Sequence, residues 1–179
     1  PWLLVTPEGP DDGGDFGPNT PGSKTCGMNE AFAYAKENEY DVYIEGGMGG
    51  PGMDRAIYHV QDTVHIPPMQ NFRLDGGNYI ITGPHENFPK GKAVLLIDTQ
   101  MNSNFKLGHV INGGTGTAIR VATMNPGPDQ VAYGGSPTTI ANFFEFTMVN
   151  SRGISIEIDP MNGSINNNAF SVGESNSFD

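Results

Sequence analysis

Apolar residues in this chain recur at two different periods. Met28, Ala31, Phe32 and Ala35 stand at i, i+3, i+4 and i+7, the spacing of one helix face. Gly27 takes the N-cap position and Glu30 the third helical position, so the spacing predicts a helix over 28–38, closed by the β-rich run Asp41-Val42-Tyr43-Ile44. Elsewhere the period is two. Val42 and Ile44 share a face, as do Ile119 and Val121, and as do Ile154, Ile156 and Ile158. Ahead of the helix, Pro7, Pro10, Pro18 and Pro21 surround the run Asp11-Asp12-Gly13-Gly14-Asp15-Phe16-Gly17, and proline at that density predicts a loop over residues 1–25.

The strand-like segments resemble one another. Asn71-Phe72-Arg73-Leu74, Asn104-Phe105-Lys106-Leu107 and Asn142-Phe143-Phe144-Glu145 open similar stretches, and Asn168-Ala169-Phe170 is a looser copy. The second and third are followed by Val110-Ile111-Asn112-Gly113 and Met148-Val149-Asn150-Ser151, then by glycine-led strands, Gly116 to Val121 and Gly153 to Asp159. Gly91 to Asp98 is an earlier version of the same strand. Self-similarity at this period, in short strands without intervening helices, predicts a stacked parallel β-solenoid, with the recurring Phe72, Phe105, Phe143 and Phe170 stacked inside. A β-sandwich is the alternative. It would carry hairpin signals, and Asp75-Gly76-Gly77 and Asn112-Gly113-Gly114 are the nearest candidates.

Composition narrows the choice. Of 179 residues, 25 are Gly and 14 are Pro, 36% are hydrophobic and 16% charged, which suits a turn-rich all-β chain better than a helical bundle. Nine Lys and Arg against 20 Asp and Glu give a net charge of −11, and the cations are scattered. Nucleic acid and anionic membrane surfaces are therefore excluded as partners, and no apolar stretch is long enough to span a bilayer. The single cysteine, Cys26, excludes an internal disulfide and reads as a small buried residue at the helix start.

The order of elements carries a family resemblance. A Gly/Asp-rich opening, one amphipathic helix and a Val-Tyr-Ile strand lead into Tyr58-His59-Val60 and Thr63-Val64-His65-Ile66-Pro67-Pro68. Phe72-Arg73-Leu74-Asp75-Gly76-Gly77 and Ile80-Ile81-Thr82-Gly83 follow. Over roughly residues 11 to 172 this resembles the N-terminal part of the pectate-lyase-like superfamily of single-stranded right-handed parallel β-helices, which includes polysaccharide lyases, glycoside hydrolases and phage tailspikes. The resemblance implies an all-β right-handed parallel β-helix over residues 26–179, capped by the helix and forming the N-terminal part of a longer solenoid. Two features depart from the family pattern: Asp11 to Asp15 sits far upstream of the helix, and Gly46 to Gly52 replaces a short turn.

In such a fold, residues between the inward ones face outward, and parallel strands lie ~4.8 Å apart. Asp98, Arg120, Ser155, Glu157 and Asp159 are then expected on one outward ladder. Paired carboxylates suit glycoside hydrolysis, and carboxylates with calcium and an arginine base suit elimination from a uronate. Glu157, Asp159 and Arg120 are accordingly the expected catalytic residues, with Asp98 and Ser155 as substrate-binding residues. The same five would equally make a solvated, ion-paired face. Asp11, Asp12 and Asp15 are a candidate calcium loop, although they lack EF-hand spacing. His59, His65, His85 and His109 show no metal-ligand spacing and read as core or surface residues, while Tyr58, Tyr79 and Tyr133 are candidates to line a sugar groove. Asn166-Asn167-Asn168 is expected at a coil corner, and Asn162-Gly163-Ser164 has the pattern of a glycosylation sequon. Phosphate-loop and serine-nucleophile motifs are missing from the sequence.

The expectation is thus an extracellular or cell-surface polysaccharide lyase or glycoside hydrolase. The alternative is a non-catalytic glycan-binding or adhesion module that forms homo-oligomers, as trimers or end-to-end stacks.

Overall fold

A computed structural model of the protein describes residues 1–46, 56–84, 88–125, 137–161 and 163–178. Among these there is one α-helix, α1 (Met28–Asn38), with the expected bounds and with Met28, Ala31, Phe32 and Ala35 buried. Its cap is more elaborate than the sequence suggested. Gly27 sits at N-cap in the left-handed region (φ 78°) and offers no side chain. Ser23 Oγ instead accepts from the Gly27 N–H (2.8 Å) and donates to Glu30 (2.9 Å), while Thr25 Oγ1 accepts from the Asn29 N–H (3.1 Å). Glu39, at φ 58°, ends the helix by returning its N–H to the Ala35 carbonyl.

Among the described residues the strand pairings are parallel, so the chain is predominantly β with parallel sheets. Strand β1 (Trp2–Val5) precedes α1 and pairs with β2 (Asp41–Ile44). This corrects the loop expected over residues 1–25: Trp2-Leu3-Leu4-Val5 lies ahead of the prolines, alternates exposed and buried, and occupies a sheet edge. A short 3-10 turn, Gly9–Asp12, follows within the same stretch.

After β2 the chain makes successive passes. The first continues through β3 (Ile57–His59), β4 (Val64–Ile66) and β5 (Met69–Gln70). The second runs through β6 (Arg73–Gly76), β7 (Ile80–Gly83), β8 (Leu95–Asp98) and β9 (Gln100–Met101). The third comprises β10 (Asn104–Asn112), β11 (Thr117–Ala122) and β12 (Thr138–Ile140). The fourth comprises β13 (Phe143–Ser151), β14 (Ile154–Asp159) and β15 (Ser164–Asn166), and β16 (Ala169–Ser177) follows. Strands of equal rank in successive passes pair with one another, giving one large sheet, a second in the order β14-β11-β8-β4 and a third in the order β15-β12-β9-β5. The Asn-Phe segment and the short apolar segment after it run together as single nine-residue strands in β10 and β13.

Inward side chains from these passes form one continuous core that includes the α1 stripe. Asn29 joins the helix to β4 as an added strand would: its Oδ1 accepts the His65 N–H (2.7 Å) and its Nδ2 donates to the Thr63 carbonyl (3.2 Å). The aromatic stack exists, but its register is slipped relative to the Asn-Phe repeat. Phe105 pairs with Phe144, and Phe144 with Phe170, whereas Phe143 aligns with Asn104 and is 43% exposed. Alternation decides this, because a shift of one residue sends the whole strand's apolar set to the wrong face.

The glycine at the head of each later strand has a steric cause. A Cβ on Gly116 would lie 2.6 Å from the Lys92 carbonyl oxygen, and one on Gly153 would overlap the carbonyl oxygen of Gly116. Backbone therefore stacks on backbone at this corner in three successive passes.

Candidate functional site

The outward face of the second sheet gathers several polar and charged side chains. His65, Leu96, Arg120 and Glu157 stand in one row across β4, β8, β11 and β14. A cleft of about 620 Å³ crosses all four strands; its lining includes Asn29, His65, Lys92, Leu96, Arg120 and Glu157. Asn29, already bonded to β4, closes the end nearest the helix.

At the far end, Arg120 draws together the residues the sequence proposed as catalytic. Its Nη2 lies 2.6 Å from Asp159 Oδ2 and its Nε 3.7 Å from Glu157 Oε2. Thr117 Oγ1 donates to the same Glu157 oxygen at 3.2 Å. The Arg120 guanidinium holds the Asp159 carboxyl below its ordinary range. Both carboxylates are thus offered as ion-paired acceptors, and Asp159 is not a proton donor near neutral pH.

Asp98 stands elsewhere than the ladder implied. It aligns with Ala122 and Asp159, two residues past the Arg120 row, and is fully buried. The segment after β11 folds over it: Asp98 Oδ1 accepts the Met124 and Asn125 N–H groups (both 3.1 Å) and the Thr99 hydroxyl (2.8 Å), while Oδ2 accepts Asn125 Nδ2 (2.9 Å). Its remaining partner is His65 Nε2, 3.1 Å from Oδ2. These hydrogen bonds outweigh burial and hold the Asp98 carboxyl down at about 2. A carboxylate so enclosed is closed off from the cleft, whereas His65, with 39% of its side chain exposed, lines it. The sequence alone reads His65 as a core or surface residue. Its appearance two residues after Thr63 on an outward strand position was the available signal, and its partner, 33 residues away, was not visible.

Ser155 lies on β14 beside Glu157 and is half-buried, outside the cleft lining. Ile156 and Ile158 align with Ile119 and Val121 as expected, yet Ile154 and Ile158 are 53% and 48% exposed, because β14 is the outermost strand of its sheet. Tyr58 and Tyr79 are corrected from groove to core: both are fully buried, with rings 6.5 Å apart, and Tyr58 Oη donates to the Glu45 carbonyl at 2.8 Å. His85, Tyr133, Asn162 and Gly47 to Gly52 lie outside the described residues.

The acidic N-terminal run spends its carboxylates locally. Asp12 accepts the Thr6 hydroxyl and the Glu8 N–H, Asp15 accepts the Leu4 N–H (2.8 Å), and Asp11 accepts Asn19 Nδ2 (3.0 Å). Among the described residues, no group of three or more His, Cys, Asp or Glu is placed to hold a metal ion, and no helix is long and apolar enough to cross a membrane.

Lys92 is the remaining cation of the cleft and makes no ion pair among the described residues. No family model, curated protein or solved structure matches the chain.

Proposed function

We propose that this protein is a right-handed parallel β-helix of the pectate-lyase-like kind that binds an extracellular polysaccharide across its second sheet and cleaves it by elimination at a uronate. The repeated visits to three parallel sheets in constant order support the helix, and the usual hand of parallel crossovers supports its sense. The observation that carries the function is the cleft itself. It crosses four strands, is floored by Leu96, and presents His65, Lys92, Arg120 and Glu157 to whatever lies along it. That is a shape for a chain-like ligand rather than a compact one.

Elimination is favoured over hydrolysis by the ion pairing of the carboxylates. Hydrolysis needs one protonated acid and one base, whereas Arg120 engages both Glu157 and Asp159. Lys92 supplies a cation for the uronate carboxylate, and the Arg120–Glu157 pair supplies donors and acceptors for the hydroxyls of a neighbouring sugar. The test is a panel of acidic and neutral polysaccharides, with calcium and with chelator, following unsaturated-uronate absorbance and new reducing ends together. Absorbance that rises with reducing ends supports the reading; reducing ends alone would make the protein a hydrolase.

Glycan binding without cleavage of any member of the panel would favour a non-catalytic adhesion module instead.

A further inference from the structure

Resting on that reading, we propose that His65 is the proton-transferring residue of the cleft and that Asp98 is its positioning residue. The argument begins with the direction of the ring. His65 Nε2 faces a buried carboxylate that has no other role at the surface, so in the neutral ring Nε2 carries the hydrogen and Nδ1 the lone pair. The ring lines the cleft, and its backbone is pinned by the bond from its N–H to Asn29.

Asp98 is over-determined for a structural residue. Its carboxylate is fixed by Thr99, by two backbone N–H groups and by the Asn125 amide. Such a carboxylate orients an imidazole and stabilises the imidazolium that forms during proton transfer. The charged groups facing His65 from the cleft are Asp62 and Lys92 on the near side and Arg120 with Glu157 across Leu96. Of these, the lysine is the one that a ligand carboxylate would meet unpaired.

The step balances without an outside reactant. The Nδ1 lone pair of His65 takes the proton from C5 of the uronate, whose carboxylate Lys92 neutralises. The C5–H electron pair becomes the second bond of C4=C5, and the C4–O4 bond breaks with its pair remaining on O4. The imidazolium then returns the proton to that oxygen, which leaves as the hydroxyl of the departing chain. One residue serves as base and then acid, which requires both atoms on the same side of the sugar.

The experiment uses the whole chain with the uronate polymer found in the panel. His65→Ala is expected to lower kcat about 100- to 10,000-fold, a far larger effect than any on polymer retention in affinity electrophoresis. Added imidazole is expected to restore part of the rate, a rescue that a structural role would not allow. Asp98→Asn is expected to lower kcat more than it alters KM. A His65→Ala protein that cleaves at the wild-type rate overturns the assignment and leaves the polysaccharide reading standing. A wild-type protein that cleaves no member of the panel overturns both.

Discussion

The ring of Phe105 lies 5.0 Å from that of Phe144, tilted from parallel by 11°, and Phe144 stacks again on Phe170 at 4.9 Å and 14°. Phe72 joins at 5.8 Å from Phe105. This column fixes the register of the large sheet, because each ring fills the space above its neighbour and leaves none for a residue of the opposite phase.

Phe144→Ala is therefore expected to cost about 3–5 kcal/mol in unfolding free energy, the range for a fully buried aromatic truncated to a cavity. Phe143→Ala, one position earlier and 43% exposed, is expected to change stability by less than about 1 kcal/mol. Denaturant unfolding of the two variants decides it. Equal losses would mean that the Asn-Phe repeat, and not the alternation, sets the stack.

What was legible from the residues followed from short-range geometry. The α1 stripe appears because 3.6-residue periodicity survives intact in 28–38, and the Arg120–Glu157 meeting appears because parallel strands align residues of equal phase. The Phe143 assignment failed since two adjacent phenylalanines allow two phases, and only packing chooses between them. The cover over Asp98 was hidden for a different reason. Met124 and Asn125 reach it from the far end of β11, and no periodicity links a turn to the carboxylate beneath it. β1 was obscured by the prolines that follow it, which govern their own neighbourhood and not the four residues ahead.

Gly153 tests the corner where passes stack backbone to backbone. An added Cβ would overlap the Gly116 carbonyl oxygen and come within 2.8 Å of that of Thr115, neither of which can rotate aside. Gly153→Ala is expected to destabilise by about 1–3 kcal/mol. Gly113→Ala is the matched control, since its nearest neighbour would be 3.8 Å away, and its expected change is within about 0.5 kcal/mol. Thermal unfolding of both proteins gives the comparison.

Cys26 is expected to be chemically silent. Burial, with a smaller contribution from Glu30, pushes its thiol up to about 11, and Sγ donates to the His59 carbonyl at 3.2 Å. A disulfide reagent at pH 8 should titrate no thiol in the native protein and one in denaturant. Stoichiometric reaction of the native protein would show that the segment before α1 opens readily.

Arg120 separates a stabilising role from a binding one. Its partners are partly solvated, so Arg120→Met is expected to leave the melting temperature unchanged within error while weakening polysaccharide retention. Lys92→Met should weaken retention of the acidic polymer more than of a neutral one. If Arg120→Met unfolds the protein instead, the Arg120 cluster belongs to the scaffold, and the binding surface lies nearer His65 and Lys92.

Asp98 makes acid stability a measure of the buried pair. Its carboxyl is held at about 2 in the fold, against 3.8 for the unperturbed group. A depressed folded value means that the unfolded chain binds the proton first, so the contribution to stability is complete above roughly pH 4 and is lost as pH falls toward 2. Allowing for screening by solvent in the adjoining cleft, that contribution is about 1–2 kcal/mol. Asp98→Asn removes the titration and also sets one amide N–H₂ group against donors that the carboxylate had accepted, a neutral-pH loss of about 1–3 kcal/mol. The difference in unfolding free energy between wild type and Asp98→Asn should therefore shrink between pH 4 and pH 2. A constant difference across that range would place the proton on Asp98 at ordinary carboxyl values and remove its charge from the support of His65.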